Sequence, residues 1–263
     1  PQQGSPFYKS LNGSWRFNWV EKPAVRPLQF YKPSYDVSQW DKISVPGNWQ
    51  VQGYGTPIYL NQPYPFKKDP PYIQSYYNPV GSYRTAFTIP ATWKDREVFI
   101  VFEGVESAFY LWLNGKKIGY SQGSRTPAEF DITSFLKAGE NILVLHVYRW
   151  SDGSYLECQD FWRISGIERD VYLYSTPLIH IRAFFAHADL DQNYENGLLK
   201  IDAAIKNYLP GKDAEKYNLK ITLLDSNKKT ILSDKKDINI NDKIHFEKTI
   251  DNPAKWTAET PNL

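Results

Sequence analysis

The sequence predicts an all-β chain of two sandwiches in series, the first of jelly-roll or similar kind and the second immunoglobulin-like in outline. Three observations predict it. Runs of alternating or β-branched and aromatic residues recur along the whole chain. No window of eleven or more residues has a convincing helical period. Composition also shifts near Ser175–His180: eight of nine Trp and 16 of 19 Tyr precede residue 177. In the 87 residues that follow, Lys supplies 12 of 13 basic side chains. The expected domains are therefore 1–176 and 177–263.

In the first domain the strands read as 14–20, 83–89, 97–104, 108–115, 141–148 and 169–175. Asn12-Gly13 marks a turn before the first. Asn114-Gly115 predicts a tight hairpin, because that pair tolerates the positive φ angles of a type I′ turn. Residues 134–140 suit one short helical turn ended by Gly139. Residues 46–82 differ. They are dense in Pro, Gly and Tyr, and proline has no N–H to give a ladder, so no central strand fits there. A segment that long is rarely an idle connector, and its aromatics oppose disorder. It reads as an ordered arm laid over the sandwich or over something beside it. In the second domain, 179–190, 197–207, 217–226, 228–233 and 243–250 read as strands, five or six where about seven are expected. This sandwich is expected to lack its last strand or strands.

Bulk chemistry excludes some functions. The 31 basic and 29 acidic residues leave a net charge of +2, which makes no electrostatic case for nucleic acid or an anionic membrane. No apolar run approaches the ~20 residues of a membrane span. Cys158 is the single cysteine, so no internal disulfide or all-cysteine zinc site can form. The opening residues carry no signal pattern, and the compartment stays open between cytoplasm and periplasm. Nucleophile-elbow, zincin and phosphate-loop motifs are absent. Of the four histidines, His146 alternates within an apolar strand and reads as packed; His180, His187 and His245 have no partner in sequence.

The chemistry concentrates in residues 149–171, RWSDGSYLECQDFWRISGIERDV, where eight of 23 residues are charged and three are Trp or Phe. Glycoside hydrolysis needs two carboxylates roughly 5–10 Å apart, and Glu157 and Asp160 have a spacing that lets both face one cleft. The plainer reading is bracing by Arg149, Arg163 and Arg169, since arginine–carboxylate forks hold such loops. Trp150, Phe161 and Trp162 are expected to anchor the loop in the core. In the arm, Trp49, Tyr54, Tyr59, Tyr64 and Tyr72 suit either stacking on sugar rings or gluing the arm to a neighbouring domain.

This loop, together with PGNWQVQGYGTPIYLNQPYP, VFEGVESAFYLWLNGKKIGYSQGSRTPAEFDIT and LKAGENILVLHVYRWSDGSYLE, closely resembles the amino-terminal region of the large β-galactosidases of glycoside hydrolase family 2. The resemblance runs from residue 11 to 175 and continues more weakly to NPAKWTAETPNL at 252–263. It implies a five-domain retaining hydrolase of terminal non-reducing β-D-galactose, acting in carbohydrate catabolism. The first domain would be a galactose-binding-like jelly roll. A catalytic barrel, outside this chain, would carry both catalytic glutamates and the Mg²⁺ ligands. This chain would thus hold no catalytic residue and hydrolyse nothing alone. The resemblance assigns Asp160 to a Na⁺ ion that also contacts the galactose C6 hydroxyl, and Asn61 to a galactosyl hydroxyl. Both are hard oxygen-bearing side chains suited to those partners. Glu157 is expected to brace the loop rather than react. The implied partners are a galactoside, the missing barrel and further copies of the enzyme. The segment DININD is shorter here than in relatives whose loop reaches a neighbouring subunit. The alternatives are a family 2 β-glucuronidase or β-mannosidase, or a stand-alone carbohydrate-binding module.

Overall fold

A computed structural model describes residues 4–60, 63–157, 159–209, 217–237 and 243–261. The chain forms two compact units, Pro1–Thr176 and Pro177–Leu263.

Unit 1 runs through β1 (Tyr8–Ser10), β2 (Gly13–Val20), β3 (Asp41–Val45), β4 (Gly47–Asn48), β5 (Ile58–Leu60), β6 (Val80–Thr88), β7 (Glu97–Phe102), β8 (Val105–Glu106), β9 (Ala108–Leu113), β10 (Lys116–Gln122), β11 (Ala128–Asp131), β12 (Glu140–Tyr148), β13 (Phe161–Arg163), β14 (Gly166–Ile167) and β15 (Val171–Thr176). A six-stranded sheet in the order β10-β9-β12-β6-β2-β3 faces a four-stranded sheet in the order β1-β15-β7-β11. Alternation places Trp15 and Phe17 of β2, Tyr83 of β6, Leu111 of β9, and Leu143, Leu145 and Val147 of β12 in the core between them. There they meet Ile100, Phe102, Val171 and Leu173 of the other sheet. Burying each such aliphatic or aromatic side chain contributes about 1.5–3 kcal/mol. This is the jelly-roll sandwich the sequence predicts.

The hairpin between β9 and β10 turns at Asn114 and Gly115, with φ of 53° and 85°. Both angles are positive, as the Asn-Gly pair requires. The helical signal at 134–140 becomes a single 3₁₀ turn at Thr133–Phe135.

The outer face of the six-stranded sheet is half covered by residues 21–40, which carry no periodic signal. The Arg84 guanidinium donates to the carbonyls of Pro33 (2.6 Å) and Tyr35 (2.8 Å). Arg16 donates to that of Trp40 at 3.0 Å. Phe30 stacks on His146 with centroids 3.7 Å apart. His146 is therefore packed, as its alternation implies. Burial, with a smaller push from Arg26, lowers its pKa to about 3.

Unit 2 has a three-stranded sheet of β16 (Ile179–Leu190), β17 (Gly197–Asn207) and β20 (Lys243–Ile250), and a pair, β18 (Asn218–Leu224) and β19 (Thr230–Asp237). Its core gathers Ala203, Ile205, Leu219, Ile244 and Phe246. Phe184 and Phe185 of β16 are both exposed. Among the described residues no helix is long and apolar enough to cross a membrane.

Candidate functional site

The arm and the charged loop form one built assembly. β5, in the arm, pairs antiparallel with β13, in the loop: Phe161 faces Leu60, Trp162 faces Tyr59 and Arg163 faces Ile58. Aromatic and β-branched residues on both sides suit a short pleated pair. The Tyr59 and Trp162 rings lie 5.7 Å apart.

Asp160 sits immediately before β13 and is exposed. Its Oδ1 accepts a hydrogen bond from the Tyr59 hydroxyl at 2.6 Å. That bond, then the negative charge of Asp160, raises the Tyr59 pKa, so the phenol stays a donor. Asn61, the other residue assigned by resemblance, lies outside the described residues.

Buried groups fix this pair from behind. The Arg149 guanidinium is fully buried and donates through Nη2 to the carbonyls of Thr56 (2.8 Å) in the arm and Arg163 (3.0 Å) in the loop. Asn78 accepts from the Trp150 N–H at 2.9 Å and donates to the Trp150 carbonyl at 3.0 Å. Gln50 accepts from the Ser165 N–H at 2.9 Å, and the Trp49 N–H donates to the Ser165 carbonyl at 2.8 Å. Farther along the arm, Tyr155 accepts from the Asp69 N–H (2.9 Å) and donates to the Tyr72 carbonyl (2.8 Å). Phe66 packs on Trp150 and Tyr155.

Three expectations need correction. Arg149 braces backbone carbonyls that tie arm to loop, because a buried guanidinium needs acceptors and the carbonyls beside it supply them. Trp150 is an anchor, but Trp162 is 53 % exposed and lies beside Asp160; position 162 points outward in the β5–β13 pair. The side chain of Phe161 lies outside the described features. The arm aromatics divide: Trp49 is buried within this unit, Tyr54 donates to Asp41 at 3.0 Å, and Tyr64 donates to the Tyr155 carbonyl at 3.2 Å. Tyr59 and Tyr72 remain exposed.

Glu157 braces the loop, as expected. It ends a short helix, Ser154–Glu157, and accepts from the N–H and Oγ of Ser124, both at 2.7 Å. Both of its carboxylate oxygens are thus engaged by Ser124.

One carboxylate pair escaped the sequence reading. Arg125 bridges Glu106 (2.9 Å) and Glu168. These acids lie on or next to β8 and β14, which with β4 form a small three-stranded sheet in the order β4-β14-β8. Burial, then a hydrogen bond to Glu168 and repulsion from its charge, raises the Glu106 carboxyl well above the ordinary range; Arg125 opposes this in part. No signal short of the fold reveals it, since 62 positions separate the two acids in a sequence already rich in charge.

Residues 8–177 match the sugar binding domain of glycosyl hydrolases family 2, and residues 179–263 match a second domain of that family. The chain belongs to glycosyl hydrolases family 2. It is 47 % identical to a β-galactosidase of Priestia megaterium across all of this chain and 26 % of that protein. Against a β-galactosidase of Psychromonas ingrahamii it is 41 % identical, over 99 % of the chain and 26 % of that protein. The chain thus spans about a quarter of the length of these relatives. The fold resembles a Bacteroides uniformis β-glucuronidase with a TM-score of 0.72 at 23 % identity, over 97 % of this chain and 29 % of that one. It also resembles a Bifidobacterium dentium β-glucuronidase complexed with coumarin-3-O-glucuronide, with a TM-score of 0.71 at 19 % identity over 98 % and 44 %.

Proposed function

We propose that this chain is the amino-terminal part of a retaining β-galactosidase, and that it lends its arm and charged loop to a galactose pocket whose reacting glutamates lie on residues beyond it. The β5–β13 pairing carries this reading. It holds an exposed carboxylate at the tip of a segment fastened by buried Arg149, Asn78 and Gln50, a rigidity that a contributed binding group needs. Identities of 41–47 % to proteins named β-galactosidase favour a galactoside over a glucuronide. The likeness to β-glucuronidases lies below 25 % and bears on the fold alone.

In this reading Asp160 helps hold Na⁺ and Asn61 bonds a galactosyl hydroxyl. The described residues fit the ion in kind: the Asp160 carboxylate is exposed, Tyr59 occupies one of its oxygens, and carboxylate oxygen suits a hard cation. They supply one ligand, so the others must come from elsewhere. A bound Na⁺ would supply a fixed positive charge for a sugar hydroxyl. Tyr59 keeps the carboxylate oriented toward that position. Among the described residues no cluster of three or more His, Cys, Asp or Glu could hold a metal, and the Mg²⁺ implied by resemblance is assigned to the missing barrel. Assembly into a homo-oligomer belongs to the same proposal.

The full-length protein should hydrolyse p-nitrophenyl β-D-galactopyranoside and leave the β-glucuronide and β-mannoside essentially untouched. Preference for either of the latter would replace this reading with the corresponding alternative.

A further inference from the structure

Between the outer face of the six-stranded sheet and the segment 21–40 lies a furnished cleft. Tyr120 on β10 pairs with Tyr110 on β9, and Tyr110 pairs with His146 on β12, so three rings cross the sheet in one line. The Tyr110 ring lies 4.9 Å from that of Tyr120 and 6.0 Å from that of Tyr148. Ala108 is the cross-strand neighbour of both Tyr148 and Gln122. A small residue between large ones leaves a hollow in the sheet surface.

Two adjoining cavities result, of about 270 and 380 Å³, and both are lined by Arg26, Tyr110 and Tyr148. Together they reach the size of ordinary small-ligand clefts. The first adds Trp112 and Lys117 to the wall, and the second adds Tyr120 and Asp152. Neither Arg26 nor Lys117 has a carboxylate partner among the described residues. Arg26 donates to the Pro23 carbonyl at 2.6 Å, and the Lys117 ammonium lies over the Tyr110 ring at 4.4 Å. The rings are inclined, 48° between Tyr110 and Tyr120 and 79° between Tyr110 and Tyr148, and make a creviced aromatic wall with hydroxyl tips and a rim of N–H donors. Flat rings accept the C–H faces of a pyranose, while phenols, guanidinium and ammonium bond its hydroxyls.

We infer that this cleft is a second, non-catalytic saccharide site, taking two adjoining rings of a short oligosaccharide. It lies within unit 1 and includes neither Asp160 nor Tyr59, although the second cavity is edged by Trp150 and Asp152 of the charged loop. It binds a saccharide and performs no chemistry.

The test uses the full-length protein saturated with isopropyl β-D-thiogalactopyranoside, so that the galactose pocket is filled. Saturation-transfer NMR with β-1,4-galactotetraose should still report binding. Tyr120→Ala and Lys117→Gln, both at exposed positions, should each weaken that binding, by up to about tenfold for the lost ring. Unchanged melting temperatures would show that both variants are folded. Asp160→Ala should leave tetraose binding intact while weakening thiogalactoside, so the two readings fail separately. Absence of tetraose binding under thiogalactoside overturns the inference, as does binding indifferent to both substitutions. A cleft covered by other parts of the full-length protein would give the first of these results.

Discussion

At the scale of residues, the decisive contact is the 2.6 Å hydrogen bond from Tyr59 to Asp160. Both groups are exposed, so the bond chiefly sets direction. Tyr59→Phe removes the hydroxyl and keeps the ring against Trp162. In the full-length protein it should raise the Na⁺ concentration needed for half-maximal stimulation, with kcat at saturating Na⁺ little changed. An unshifted Na⁺ titration would reduce Tyr59 to packing. Asp160 could be singled out from sequence only through family resemblance, because by composition it is one acid among several in its loop. Its partner could not be found that way, since 101 positions separate the two and pairing at that distance is a property of the fold.

At the scale of elements, the β4-β14-β8 sheet fastens the stretch that follows β13, and the Glu106–Arg125–Glu168 cluster closes it. Glu106 holds its proton to a higher pH when folded than when unfolded. Its stabilising contribution is complete below the ordinary glutamate range and is lost as pH rises toward its raised folded value. The melting temperature of the full-length protein should therefore fall between pH 5 and pH 8 by more than that of Glu106→Gln, which keeps the shape and cannot ionise. Parallel pH profiles for the two proteins would contradict this. Elements differ in how legible they were. The long strands and the Asn114-Gly115 hairpin follow from alternation and turn chemistry. The covering segment 21–40 and the short strands β4, β5, β8, β13 and β14 do not, because two or three residues carry no period and their pairing is set by the chain around them. Trp162 was misplaced for the same reason: its outward direction depends on a register fixed by β5.

At the scale of the whole molecule, the sequence divides by composition where the structure divides by contact, near residue 177. The aromatic-rich unit builds a rigid sandwich and mounts the arm and loop on it. The Lys-rich unit is a smaller sandwich with a sparser core. Family membership was legible because the loop and arm motifs are long and specific; the cleft across β10, β9 and β12 was not, because its rings alternate like any strand and its wall is completed by the unpatterned segment 21–40. Under the proposed function, unit 1 presents Asp160 to a pocket completed by residues beyond this chain. The most direct measurement is the Na⁺ dependence of galactoside hydrolysis by the full-length protein and its Asp160→Ala variant. The variant should lose Na⁺ stimulation and bind galactose more weakly, with an unchanged melting temperature. A variant that responds to Na⁺ as the parent does would contradict it.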